Sequence, residues 1–247
     1  MSTPIVRLRF ISQFNVTMAM NPIRKRITII CGHYGVGKTN LCLNLALQCA
    51  SEGRKVTLID LDTANVYFRS TDHSEMLSSK GIRVIGPIYA NTNVDIPALP
   101  ASIGSAIDED ACVIIDVGGD DVGAMTLSRY TNDIARHDYD MFCVINRYRS
   151  QTTTPEEAAQ IYHEIESTCR LKATGIINNS HLKQSTNEDT IIEALGFADS
   201  VSDLLGIPVV MTTAPRPIAD SLNNKIKVHP IDVYVGAPWE VEELGDA

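Results

Sequence analysis

The chain predicts an α/β fold of three layers, a mostly parallel central sheet with helices on both faces. Three observations lead there. From residue 26 onward short apolar runs alternate with helical segments, the pattern of strands buried on both faces and joined by crossover helices. Polar and acidic residues gather where the apolar runs end, and ligands of open α/β sheets sit at the carboxyl ends of the strands. The length of 247 residues, 44% hydrophobic and 21% charged, can enclose the large core such a sheet requires.

In chain order, Arg26-Ile27-Thr28-Ile29-Ile30-Cys31 reads as a short buried strand over 27–31, and the apolar-rich segment 38–51 as a helix stopped near Gly53. Further strands are expected at 55–60, 82–85, 111–116, 140–146, 173–178 and 207–211. Helices are expected at 73–80, 98–108, 121–137, 155–169, 188–205 and 217–223. Thr153-Thr154-Pro155-Glu156-Glu157 is a strong helix start: a threonine cap, a proline in the first turn, then acids at the positive end. Asn187-Glu188-Asp189 offers a second start of the same kind.

Residues 1–25 read as an N-terminal extension and 26–247 as a single domain, without internal repeats or long linkers. Arg7, Arg9, Ser12, Gln13 and Asn15 break up the apolar residues of the extension, so no signal-peptide core forms. Met18 and Met20 precede the first convincing strand, which suggests an upstream start codon or a flexible extension. The formal net charge of −9 argues against a nonspecific nucleic-acid surface. Arg24-Lys25-Arg26, the densest basic run, reads as a solvated strand entry. The six cysteines form no C-x-x-C pair and no zinc spacing; they fit small apolar residues in a reducing cytoplasm. No apolar run is long enough for a membrane span.

The functional signal lies between the first strand and the first helix. Gly32-His33-Tyr34-Gly35-Val36-Gly37-Lys38-Thr39 fits G-x4-G-K-[ST], a loop whose glycines let backbone N–H groups wrap a phosphate chain. Lys38 can reach the β- and γ-phosphates and the Thr39 hydroxyl can ligate Mg²⁺. Strand, loop and helix follow in the required order, and the helix dipole adds to the anion site. Val113-Ile114-Ile115-Asp116 is an apolar strand ending in an acid, as in a Walker B element, and Asp116-Val117-Gly118-Gly119 fits D-x-x-G. Val56-Thr57-Leu58-Ile59-Asp60-Leu61-Asp62 ends in two carboxylates that strand alternation turns to one side. One can brace the Mg²⁺ shell while the other orients an attacking water; the plainer reading is a pair of solvated acids at a strand end.

In this order the three elements resemble the MinD/ParA branch of P-loop ATPases, whose superfamily includes the CobQ/CobB proteins. Cys31-Gly32-His33-Tyr34-Gly35, Tyr67-Phe68-Arg69, Tyr89-Ala90-Asn91-Thr92-Asn93 and Val144-Ile145-Asn146-Arg147-Tyr148-Arg149 strengthen the likeness to uncharacterised bacterial ATP-binding members. The resemblance covers about 26–240 and implies a three-layer P-loop NTPase fold with ATP and Mg²⁺ as cofactors. It implies that residues 32–40, with His33, Tyr34, Val36 and Asn40 among them, surround the nucleotide. Lys38 then contacts phosphates, Thr39, Asp60 and Asp116 serve the metal, Asp62 positions water, and Asn178 reads adenine. The branch usually carries a lysine where His33 stands and a glycine where Tyr34 stands. That departure bears on the nucleotide-dependent homodimer in which the lysine reaches across to the partner's nucleotide. His33 either donates to phosphate when protonated or is an ordinary loop residue.

Neither Asn146-Arg147-Tyr148-Arg149 nor Asn178-Asn179-Ser180-His181 contains the aspartate that reads guanine, which favours adenine. Arg147 and Arg149 can stack on a base, bind an acidic partner, stabilise transferred phosphate, or simply be solvated. The segments 89–95 and 212–217 also leave strand ends and can shape a second pocket, and Trp239 reads as a tail anchor. The leading expectation is a slow ATPase acting as a switch on an unknown protein partner. The alternatives are an ATP-dependent synthetase or kinase of the CobB or dethiobiotin-synthetase kind, and a nucleotide-binding regulator with negligible turnover.

Overall fold

The computed structural model of the protein describes residues 21–63, 73–87, 100–119, 121–222 and 224–235. Residues 1–20 of the extension, Tyr67-Phe68-Arg69, the 89–95 segment, Asp120 and Trp239 lie outside these described residues. The elements follow the order β1 (Ile27–Cys31), α1 (Lys38–Ser51), β2 (Val56–Asp60), α2 (Ser74–Ser79), β3 (Ile82–Ile85), α3 (Ser102–Asp108), β4 (Cys112–Asp116), α4 (Asp121–Ser128) and α5 (Thr131–Ile134). There follow β5 (Tyr139–Ile145), α6 (Pro155–Cys169), β6 (Gly175–Asn178), α7 (Glu188–Leu205), β7 (Val209–Pro215), α8 (Arg216–Leu222) and β8 (His229–Ile231).

Among the described residues eight strands form one sheet in the order β3-β2-β4-β1-β5-β6-β7-β8, and every pairing is parallel. The fold is the α/β class expected, with parallel pairing throughout. Side-chain alternation along β1 divides the core. Ile30 faces α1 and α2, packing with Leu41, Leu45 and Leu77. Ile29 faces the opposite layer, where Ile103, Leu127, Tyr162 and Phe197 of α3, α4, α6 and α7 cover the sheet. Such two-sided cover leaves β1, β2 and β4 wholly buried, which is why these strands read as continuous apolar runs.

Helix ends follow local chemistry. Thr154 caps α6 through a reciprocal pair, Glu157 N–H to Thr154 Oγ1 at 3.2 Å and Thr154 N–H to Glu157 Oε2 at 3.1 Å. Asn187 and Thr190 repeat the arrangement at α7, whose end is set by left-handed Gly206 (φ 66°).

Two stretches differ from expectation. The single helix expected at 121–137 divides into α4 and α5. Arg129 and Tyr130 donate to carbonyls only three residues back, and the Thr131 hydroxyl donates to the Cys169 carbonyl at the end of α6; this tertiary bond takes the chain out of helical register. The last expected strand, 207–211, runs instead to Pro215, and β8 joins it at the sheet edge. Three residues centred on a proline carry no alternation by which β8 could be recognised.

The chain leaves β1 through α1 toward β2, passing β4, whereas the path from β4 to β5 passes β1 in the opposite sense. The strand order therefore reverses at β1, and the exits of β1, β2 and β4 open on one crevice.

Candidate functional site

Residues 32–39 occupy that crevice as a loop turning from β1 into α1. Gly35 and Gly37 adopt φ of 76° and 92°, the left-handed region in which a side chain is strained. Gly37 also abuts Asn179, whose Nδ2 would lie 2.5 Å from an added Cβ. The Asn179 amide donates to the Val36 carbonyl at 2.7 Å and its oxygen accepts from the Thr213 hydroxyl, so β6 and β7 hold the loop from outside. Tyr34, at the crown, is 56% exposed.

Lys38 turns back beneath the loop, donating from Nζ to the His33 carbonyl at 3.0 Å. Burial holds its amine below the ordinary lysine value, against the opposing pull of the Asp116 and Asp62 carboxylates. Asp60 and Asp116 are register partners on adjacent strands. Both are buried, as are Asp62, Lys38 and Thr39. The Asp62 N–H donates to Asp60 Oδ1 at 3.0 Å and the Leu61 N–H to the Asp116 carbonyl at 2.8 Å, tying the two strand ends together. Gly118 and Gly119 then cross directly over the loop. A Cβ on Gly119 would lie 2.5 Å from the Tyr34 backbone and 2.8 Å from Lys38 Nζ; one on Gly118 would lie 3.2 Å from Asp62 Oδ1.

The structure thus brings together the 32–39 loop, Asp60, Asp62 and Asp116, the residues singled out from the sequence. Asn40 and Asn178 have other attachments. Asn40 donates to the Asp232 carbonyl at 3.0 Å and accepts from the Tyr234 N–H at 2.8 Å. Asn178 is wholly buried, donating to the Ala194 carbonyl at 3.4 Å and accepting from the Ser180 N–H at 3.3 Å. The two arginines separate as well. Arg147 donates to the Glu193 carbonyl at 2.7 Å and lies 5.4 Å from the Tyr148 ring centroid. Arg149 reaches the loop, its Cδ 4.0 Å from where a Gly35 Cβ would stand. With His33, Tyr34, Gly35, Gly119 and Asp121 it lines a cavity of about 630 Å³. Nearby, burial and then the Arg149 and Lys183 charges push His181 down to about 4, so its imidazole is neutral at pH 7.

Sequence reasoning missed two residues here. Asn179, which grips the loop, stood beside the asparagine that was singled out; no local pattern distinguishes the pair. Cys42 read as a small core residue, yet it lies beside the site's acids: burial, then the Asp116 and Asp60 charges, raise its pKa well above normal. Its position one turn beyond Thr39 was the available signal.

The profile of the CbiA family, described as the CobQ/CobB/MinD/ParA nucleotide binding domain, matches residues 27–192. The chain belongs to this family. A nucleotide-binding P-loop NTPase domain of the MinD/ParA type therefore accounts for the loop, for the acids at the ends of β2 and β4, and for the turning point at β1. A search of curated proteins finds no match. Among solved structures, the FtsY protein of Mycoplasma mycoides is 21% identical with a TM-score of 0.51, over 77% of this chain and 60% of that one. FtsY of Elizabethkingia anophelis in complex with GDP is 23% identical with a TM-score of 0.50, over 75% and 56%. The 54 kDa signal recognition particle protein of Aeropyrum pernix K1 in complex with GDP is 16% identical with a TM-score of 0.52, over 78% and 43%. The chain spans less than two thirds of each of these proteins, and at such identities the likeness is one of fold. Among the described residues no helix is long and apolar enough to cross a membrane.

Proposed function

We propose that the protein binds Mg-ATP and hydrolyses it slowly, acting as a nucleotide-dependent switch on a protein partner, with residues 26–247 forming one domain. The observation that carries this reading is the buried Lys38 amine beneath a glycine loop, facing Asp62 and Asp116. The residues present fit the pair of ligands. Gly35 and Gly37 leave the loop backbone bare for phosphate, and α1 begins at its end with unpaired N–H groups. Thr39, Asp60 and Asp116 supply the hard oxygens that Mg²⁺ prefers. Among the described residues no group of three or more His, Cys, Asp or Glu could hold a metal ion; a metal bound through phosphates and one or two carboxylates needs none.

When bound, Mg²⁺ supplies charge neutralisation on the phosphates. Lys38 gives up its bond to the His33 carbonyl and pairs with phosphate oxygens. Asp62, its backbone fixed by Asp60, accepts a hydrogen bond from the attacking water. Arg149, at the Gly35 side of the loop, adds a guanidinium as a second cation, after Lys38, toward the phosphates. Gly119 lies on the Tyr34 backbone, so a loop displaced by phosphate moves the segment leading into α4, and this is the coupling by which a partner senses the nucleotide. The absence of an aspartate after β5 and β6 to read guanine supports ATP over GTP.

The test is binding by calorimetry with Mg-ATP and Mg-GTP, followed by phosphate release by the protein alone, each with and without Asp62→Ala. Slow ATP turnover abolished by the substitution, with binding kept, supports the switch. Turnover appearing only with a small carboxylic acid makes it a synthetase, and binding without turnover makes it a regulator. Preference for GTP overturns the base assignment.

A further inference from the structure

Cys49 lies in the last turn of α1 and Cys112 opens β4, at the end of the sheet opposite the phosphate loop. Their sulfurs are 3.8 Å apart, with the Cys112 thiol donating toward Cys49. Cys49 Sγ receives two further donors, the Asn21 amide at 3.2 Å and the Arg54 guanidinium at 3.4 Å. Three donors, one of them cationic, converge on a single sulfur, an environment suited to a thiolate. We propose that Cys49 and Cys112 are an oxidisable dithiol, Cys49 the attacking thiolate and Cys112 the resolving thiol, closed to a disulfide by hydroperoxides. This inference is independent of any nucleotide.

The electrostatics agree with the geometry. The hydrogen bond from Cys112 lowers the Cys49 pKa to about 7, aided by Asn21 and Arg54 and opposed by burial and the Glu52 carboxylate. Cys112 is raised in turn, first by its bond to Cys49, and so retains the proton it donates. The other neighbouring pair is a built-in contrast. Cys31 and Cys143 are register partners on β1 and β5, but the Cys31 thiol donates to the Phe142 carbonyl at 3.5 Å, and neighbouring Cys143 and full burial push it well up against the weaker pull of Lys38.

The step balances. The Cys49 thiolate attacks the terminal peroxide oxygen; the O–O bond breaks, the leaving alkoxide or hydroxide takes a proton, and sulfur becomes a sulfenic acid. Cys112 sulfur then attacks Cys49 sulfur, the S–O bond breaks, and water leaves with the Cys112 proton. Both thiols are buried, so a peroxide reaches Cys49 only when a covering side chain gives way; Asn21, whose amide also holds the Glu52 carboxylate at 3.0 and 3.1 Å, contacts the sulfur from the exposed side. Closing the pair requires the sulfurs to approach to about 2 Å, joining the helix that carries Lys38 to the strand that carries Asp116.

The experiment treats the whole purified protein with hydrogen peroxide, then alkylates it and maps the peptides by mass spectrometry. The expected result is a fall from six alkylated cysteines to four and a cross-linked peptide pair containing Cys49 and Cys112. Cys112→Ser should accumulate a sulfenic acid on Cys49, trapped by a cyclic dione, and Arg54→Met should slow the reaction several-fold. Wild-type protein that keeps six alkylatable thiols under oxidation, or that joins any other pair first, overturns the proposal without recourse to variants.

Discussion

Asn179→Ala removes one side chain that braces the phosphate loop from outside. The Asn179 amide donates to the Val36 carbonyl at 2.7 Å, and the residue is 1% exposed. Truncation leaves that carbonyl beside buried Val36 without its donor, a cost of about 1–3 kcal/mol. The Thr213 hydroxyl also loses its acceptor; it retains a contact with the Asn178 carbonyl, but at a long 3.4 Å, which adds about 1 kcal/mol. The sum is roughly 2–4 kcal/mol, and at about 2–4 °C per kcal/mol for a chain of this size it lowers Tm by roughly 5–15 °C. The assay is thermal unfolding by circular dichroism, without ligand and again with saturating Mg-ATP. The stabilisation conferred by ligand should also shrink in the variant, because part of the binding energy goes into re-ordering the loop. A Tm within about 2 °C of wild type, with unchanged ATP affinity, refutes the claim that Asn179 holds the loop.

Three further outcomes follow from other parts of the fold. Gly119→Ala puts a Cβ 2.5 Å from the Tyr34 backbone, which forces a displacement of about 1 Å and a loss on the order of 100-fold in turnover; phosphate release compared with wild type at matched folding checks this. His181, held at about 4 against an ordinary 6.5, takes up its proton more readily unfolded than folded. Its share of stability is therefore intact above pH 6.5 and is lost as pH falls toward 4, amounting to roughly 3 kcal/mol. Denaturant unfolding at pH 7 and pH 4.5 should show a smaller acid loss for His181→Gln than for wild type, and parallel losses contradict the assignment. Thr154→Ala breaks the α6 capping pair and should cost about 1 kcal/mol, read as a Tm drop of about 2–4 °C with nucleotide affinity unchanged.

The parts of the fold legible in the sequence were those whose cause is local. α1, α6 and α7 agree with expectation end to end, because a glycine turn, Thr154-Pro155 and Asn187 with Gly206 mark them within a few residues. β1, β2 and β4 were legible for a related reason: burial on both faces demands an unbroken apolar run. The acids at the ends of β2 and β4 were readable as a group since a phosphate loop gives them a common centre. The break between α4 and α5 was not, because the Thr131 bond to Cys169 spans 38 residues. Asn179 was missed on the same ground, its partner Val36 lying 143 residues earlier.

The same division explains why the loop alone underdetermines the site. Its glycines make residues 32–37 conformationally permissive, which lets backbone N–H groups converge but costs entropy when the loop is held in one shape. That cost is met by contacts from distant chain: Asn179 on Val36, Gly119 on Tyr34, and the 232–235 segment on the first turns of α1 through Asn40 and Asn44. The Asp232 carbonyl accepts from both asparagines, while the Asp232 carboxylate holds Arg216 at 2.6 and 2.8 Å. The start of α8 is thereby linked to the helix that carries Lys38 and Thr39. Asn40 and Asn44 thus do structural work on the helix whose N-terminus faces the phosphate site. A substitution such as Asn44→Leu should therefore disturb the loop through the packing of α1, with no change to any residue of the phosphate-binding pattern itself.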